Sequence, residues 1–138
     1  MIKIKLLFLI LISLFLLTVC SNSNSKPLNS DEWGIWDIGY NPERYNMTLW
    51  LFETGWFKEK TEENILTLLP DRNINEIIDN EVSFQVRFHN PNSIIGIDPH
   101  VTIGILNIYF DNGIVVRAEY RERKNADSAY DLILEWQF

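Results

Sequence analysis

Cysteine occurs once in the 138 residues, at position 20, so the chain beyond it folds without a disulfide. Histidine is almost as scarce, with only His89 and His100 present and Asp98 two residues from the latter. A metal centre needs three or four converging ligands. Two histidines, one closing a strand and one in a Pro-bounded loop, read as surface residues, and no metal or other cofactor is expected. Glycine is thin, and no Gly-rich phosphate loop occurs. Ser83, Ser93 and Ser128 stand outside any Gly-flanked nucleophile elbow. Glu62 and Glu63, adjacent on a helix, diverge by about 100° and sit where a helix start favours negative charge. No enzymatic activity is expected from this inventory. Basic residues are outnumbered, 12 Lys+Arg against 19 Asp+Glu. That balance argues against nucleic acid, which is held through Lys and Arg on phosphates. The longest basic cluster, Arg121-Glu122-Arg123-Lys124, reads as a solvated strand edge.

What the chain does have comes first in it. Lys3 and Lys5 precede an almost unbroken apolar run from Leu6 to Val19, and Cys20 and the polar Ser21-Asn22-Ser23-Asn24-Ser25 follow. Charged start, apolar run and processing point form an export signal. A span needs roughly 17–25 apolar residues, so the run is short for crossing a bilayer. Leu17-Thr18-Val19-Cys20 resembles a bacterial lipoprotein signal, which implies that Cys20 becomes the lipidated first residue. Val19 stands where that pattern has a small residue. The alternative is plain secretion, or a soluble periplasmic form, with cleavage after Ser21. The expected division is a signal peptide at 1–19, lipidated Cys20 and a polar tether over 20–30, and a single domain over 31–138. Without the signal, 10 Lys+Arg face 19 Asp+Glu, a net charge of about −9.

Within the domain, Asn41-Pro42-Glu43 reads as a helix start, with Asn as cap and Pro in the first turn. Tyr45, Leu49, Phe52 and Trp56 recur at helical spacing, and Gly55 marks the fraying end. A second helix is expected from Thr61, with Ile65, Leu68 and Leu69 as its apolar stripe and Pro70 as its stop. Asn73 to Asn80 is expected to add a short helical turn. The period then becomes two. Val82, Phe84, Val86 and Phe88 alternate with polar residues, and Val101–Phe110 and Ile114–Arg123 flank the hairpin signal Asp111-Asn112-Gly113. Tyr130 to Phe138 alternates as a closing strand. Helices followed by an antiparallel meander predict an α+β fold, with two N-terminal helices packed on a sheet of three to four strands as two layers.

Arg44-Tyr45-x-Met47, Leu51, Gly55, Lys60-Thr61-Glu62-Glu63 and Leu68-Leu69-Pro70 resemble the helical pair of small bacterial lipoproteins with the BamE (SmpA/OmlA) type of fold. Gly96-Ile97-Asp98-Pro99 and Leu106-x-Ile108-Tyr109-Phe110-Asp111-x-Gly113-x-Val115-Val116 resemble the first hairpin of that group. The likeness spans about residues 31–122. It implies a fold and a lipid-anchored envelope setting, in the outer membrane where the cell has one, and carries over no binding residue.

Trp33, Trp36 and Tyr40 recur among acidic residues ahead of the first expected helix. They are candidate partner-binding residues, because Trp and Tyr dominate interface hot spots. The reading preferred for them is that they fold back over a helix or sheet edge as a lid. The leading expectation is a non-enzymatic, lipid-anchored envelope protein serving as a protein-binding or envelope-assembly accessory. The alternative is an inhibitor or immunity-type module whose acidic surface blocks a basic cleft.

Overall fold

In the computed structural model of the protein, residues 24–35, 42–89, 102–125 and 128–138 are described. The expected export signal, Cys20, Asn41 and the segment with Gly96-Ile97-Asp98-Pro99 and His100 lie outside them. The fold is α+β. Among the described residues, three helices, α1 (Ser30–Gly34), α2 (Pro42–Glu53) and α3 (Glu62–Leu68), precede four strands, β1 (Glu81–His89), β2 (Thr102–Asp111), β3 (Ile114–Arg123) and β4 (Asp131–Gln137). The strands form one antiparallel sheet in the order β1-β2-β3-β4.

Helix α1 falls where a polar tether was expected to end. The Asn29 side chain accepts from the Asp31 and Glu32 amides, and both acids sit in the first turn. The tether is docked even earlier: the Lys26 amide donates to the Asn46 carbonyl (3.0 Å), and its ammonium contacts Glu32 and, at 3.0 Å, Glu43. Packing thus begins by Lys26, before the expected boundary at residue 31.

Helix α2 starts at Pro42 and stops at Gly55, whose φ of +63° glycine adopts without strain. The Trp56 amide reaches back to Leu51 O and the Gly55 amide to Phe52 O, the paired bonds of a Schellman ending. Helix α3 opens with a reciprocal capping box between Thr61 and Asn64 and closes before Pro70.

Residues 73–80 do not form the expected helical turn. Asp71 bridges Ile74, and the Asp71 carboxylate accepts from the Asn73 amide at 2.9 Å. Ile78 then bridges Glu81 across Asp79 and Asn80, both at positive φ. Asn and Asp bond locally to backbone and tolerate the left-handed region, so this run makes tight turns instead of helix.

Asn112 (φ 50°) and Gly113 (φ 77°) form the two-residue turn between β2 and β3 that the Asp-Asn-Gly signal requires. Lys60 to Glu62 run beside the start of β3, with Thr61 bridging Ile114. Register shifts leave Val86, Val116 and Ile133 as extra residues, one bulge per strand pair. Because β3 lies between β2 and β4, Arg121 to Arg123 occupy an interior strand, not the solvated edge expected for them.

One sheet face is buried: Val82 and Phe84, Leu106 and Ile108, Ala118 and Tyr120 pair across three strands. Ring contacts reach this side from the helical half, Trp33 to Phe84 (5.9 Å, edge-on), Tyr45 to Tyr120 (5.9 Å) and Phe57 to Trp136 (5.7 Å).

Candidate functional site

Trp33 is fully buried and offers no surface to a partner. Its ring lies 5.2 Å from the Arg44 guanidinium carbon and packs edge-on against Phe84. Its carbonyl accepts from Arg44 Nε at 2.6 Å. The indole N–H is buried with no acceptor among the described residues. Trp36 and Tyr40 lie outside those residues.

Arg44 was legible only as part of a helical motif, yet it is 1% exposed. Besides Trp33 it reaches Asp71 Oδ2 and the Gln85 carbonyl, each at 2.9 Å. One guanidinium therefore joins α1, α2, the 71–80 loop and β1. Burial pulls its pKa down, and the bond to Asp71 opposes that pull.

A second polar group sits at the far end of the buried face. Tyr120 Oη donates to Glu122 Oε1 at 2.6 Å, Arg87 pairs with the same oxygen at 3.3 Å, and Arg87 lies over the Tyr45 ring. Burial, then the bond to Glu122, pushes the Tyr120 hydroxyl far above the usual phenol range. A phenol held protonated beside a paired carboxylate serves as a structural donor.

The opposite face carries a third group. Glu119, 5% exposed, accepts from Arg121 Nε (3.1 Å) and Tyr109 Oη (3.3 Å) and pairs with Arg117 at 3.5 Å. The Arg121 bond leads in holding its carboxyl below the ordinary range.

Among the described residues no three His, Cys, Asp or Glu side chains gather as a metal site. Ser83 donates to Asn107 (2.7 Å) and Ser128 to the Asn125 carbonyl (2.9 Å), so neither hydroxyl is paired with a base. An open cavity of about 300 Å³ lies between the 71–80 loop and β1, lined by Asn73, Glu76, Ile78, Glu81 and Ser83. No described helix is long and apolar enough to cross a membrane.

The distinctive surface is β4. Leu132 (43% exposed) and Ile133 (48%) are uncovered, along with Asp131 and Glu135. Across the β3–β4 ladder Glu135 stands opposite Glu119 and Asp131 opposite Glu122. Both pairs join like charges. Comparison with known proteins found no matching family model, curated protein or solved structure.

Proposed function

We propose that the chain is a non-enzymatic, lipid-anchored protein of the bacterial cell envelope, with a BamE-like body that binds another protein or assists envelope assembly. The body is read as two layers, the helices lying over the buried face of the sheet. The ring contacts from Trp33, Tyr45 and Phe57 support that arrangement. The observation that carries the functional reading is how the chain leaves the signal. Cys20 closes the apolar run, and only six positions later Lys26 is docked on α2. At about 3.5 Å per extended residue, the body stays within roughly 20 Å of an anchor at Cys20. Two or three acyl chains, each stabilised by about 0.8 kcal/mol per buried methylene, would hold it firmly. A body so tethered, whose described polar groups knit structure together, acts through its surface.

The test is the intact mass of the mature protein from membranes. A first residue at Cys20 carrying acyl chains is the expected result. A chain starting at Asn22, or an unmodified Cys20, overturns the anchoring and leaves an exported soluble module. Of the two functional readings, an inhibitor with an acidic face draws its support from the exposed carboxylates on β4.

A further inference from the structure

We infer that the free edge of β4 is a docking site for an extended, basic segment of a partner protein, which adds to the sheet as a fifth strand. This rests on the reading of the chain as a protein-binding module and names the surface and chemistry involved.

The two sheet edges differ. On β1, Arg44 occupies the Gln85 carbonyl, Val86 bulges, and the Ile78–Glu81 bridge folds the preceding loop against the strand start. On β4, no strand or bridge pairs with the outer side among the described residues. Only the Ile133 bulge interrupts it, and that residue is itself exposed. An edge with uncovered backbone groups and apolar side chains is a template for strand addition.

Charge selects the occupant. Opposite charges facing across strands stabilise a pair, and like charges directly opposite destabilise it. Glu119 and Glu122 are already engaged by Arg117 and Arg121, and by Arg87 and Tyr120, respectively. Their partners across the ladder, Glu135 and Asp131, have no ion pair within 4 Å among the described residues, although Arg121 feels Glu135 at longer range. A strand on the open side can supply Lys or Arg across from both carboxylates and apolar residues across from Leu132 and Ile133. A second copy of this chain brings the same carboxylates and a net negative charge to the seam, so self-pairing is opposed.

The experiment is calorimetric titration of the mature full chain, in detergent micelles, with a lysine–valine peptide as long as β4 whose two lysines stand four positions apart, as Asp131 and Glu135 do, with valines between them. A glutamate–valine peptide and an N-methylated lysine–valine peptide serve as controls. Expected are binding that weakens as salt rises, no binding by the acidic peptide, and loss of binding on N-methylation, which removes backbone donors and keeps charge. Asp131→Asn with Glu135→Gln should weaken binding about tenfold while raising the thermal midpoint of the free chain, since the facing repulsion disappears. Equal binding by the N-methylated peptide, unchanged affinity in the double variant, or a dimer seen in sedimentation that Ile133→Lys dissociates would each overturn the inference. An unacylated chain that still binds the peptide refutes only the anchoring. An acylated chain that ignores the peptide refutes only the edge.

Discussion

Gly104 and Tyr120 share one volume. A Cβ at position 104 would collide with the Tyr120 hydroxyl and come within 2.8 Å of its Cζ. The close approach lets the phenol lie over Gly104 of the neighbouring strand while it bonds Glu122, two residues along its own. Gly104→Ala forces a fully buried ring out of place and should destabilise by about 1–3 kcal/mol, as overpacking does. Tyr120→Leu in the same chain should recover part of that loss, so the two changes will not add. Urea denaturation of both single variants and the double variant checks this, and strict additivity would refute it.

Arg44 is the buried tie between the helical half and β1. Arg44→Ala leaves the Asp71 carboxylate (11% exposed) and the Trp33 carbonyl without their donor. Breaking a buried pair in this way costs about 3–5 kcal/mol. Arg44→Lys should rescue little, because one ammonium cannot reproduce a planar fork aimed at three acceptors. Arg44→Met combined with Asp71→Asn should be more stable than the sum of its single changes predicts. Equilibrium unfolding in urea reads these five variants, the Arg44→Met and Asp71→Asn singles included.

Elements specified by local chemistry were legible: the Asn112-Gly113 turn, the Thr61 cap, the Pro70 stop and the alternation of four strands. Elements that tertiary contact creates were not. Helix α1 has a good cap in Asn29 but spans only five residues, too few to persist without the burial of Trp33. The same burial removes Trp33 from any docking strip, and aromatic density alone does not distinguish a lid from an exposed patch. Arg44 has the periodicity of a helix but a burial that no pattern of charged residues announces. The carboxylates of β4 fall between the alternating apolar residues Tyr130, Leu132, Leu134 and Trp136, with nothing in that pattern to single them out. Only the bulge at Ile133 sets Asp131 and Glu135 each across from another acid, and a bulge leaves no mark on the period-two pattern.

Glu119 should shape the acid limb of stability. Its folded pKa lies below the ordinary 4.5, chiefly through the Arg121 hydrogen bond, with burial opposing. A depressed carboxyl pKa stabilises the fold above the unfolded value and ceases to do so as pH falls through the folded one. Glu119→Gln should therefore cost about 1–2 kcal/mol at neutral pH, a charged hydrogen bond discounted for two half-exposed arginines. The gap from the unaltered chain should close below pH 4.5. Denaturant midpoints taken across that window decide it, and a gap independent of pH would remove Glu119 from the account.

At the alkaline end the sign reverses. Burial raises Tyr120 above the ordinary phenol value of 10.0 and burial also raises Tyr109, with Glu122 and Glu119 adding to the respective shifts. An acid whose folded pKa is raised stabilises the fold below its unfolded pKa, and that contribution declines as pH climbs past 10.0. In an alkaline titration followed by tyrosinate absorbance, part of the signal should therefore appear only as the near-ultraviolet circular dichroism of the folded core is lost. Tyr120→Phe should shrink that late fraction and flatten the decline above pH 10.0. Near neutrality it should cost about 1 kcal/mol for the lost bond to Glu122, which keeps Arg87 as its partner. Full ionisation of the tyrosines near pH 10.0 with the core intact would mean that the Tyr120 hydroxyl is open to solvent. The close fit between Gly104 and its ring would then be wrong as well.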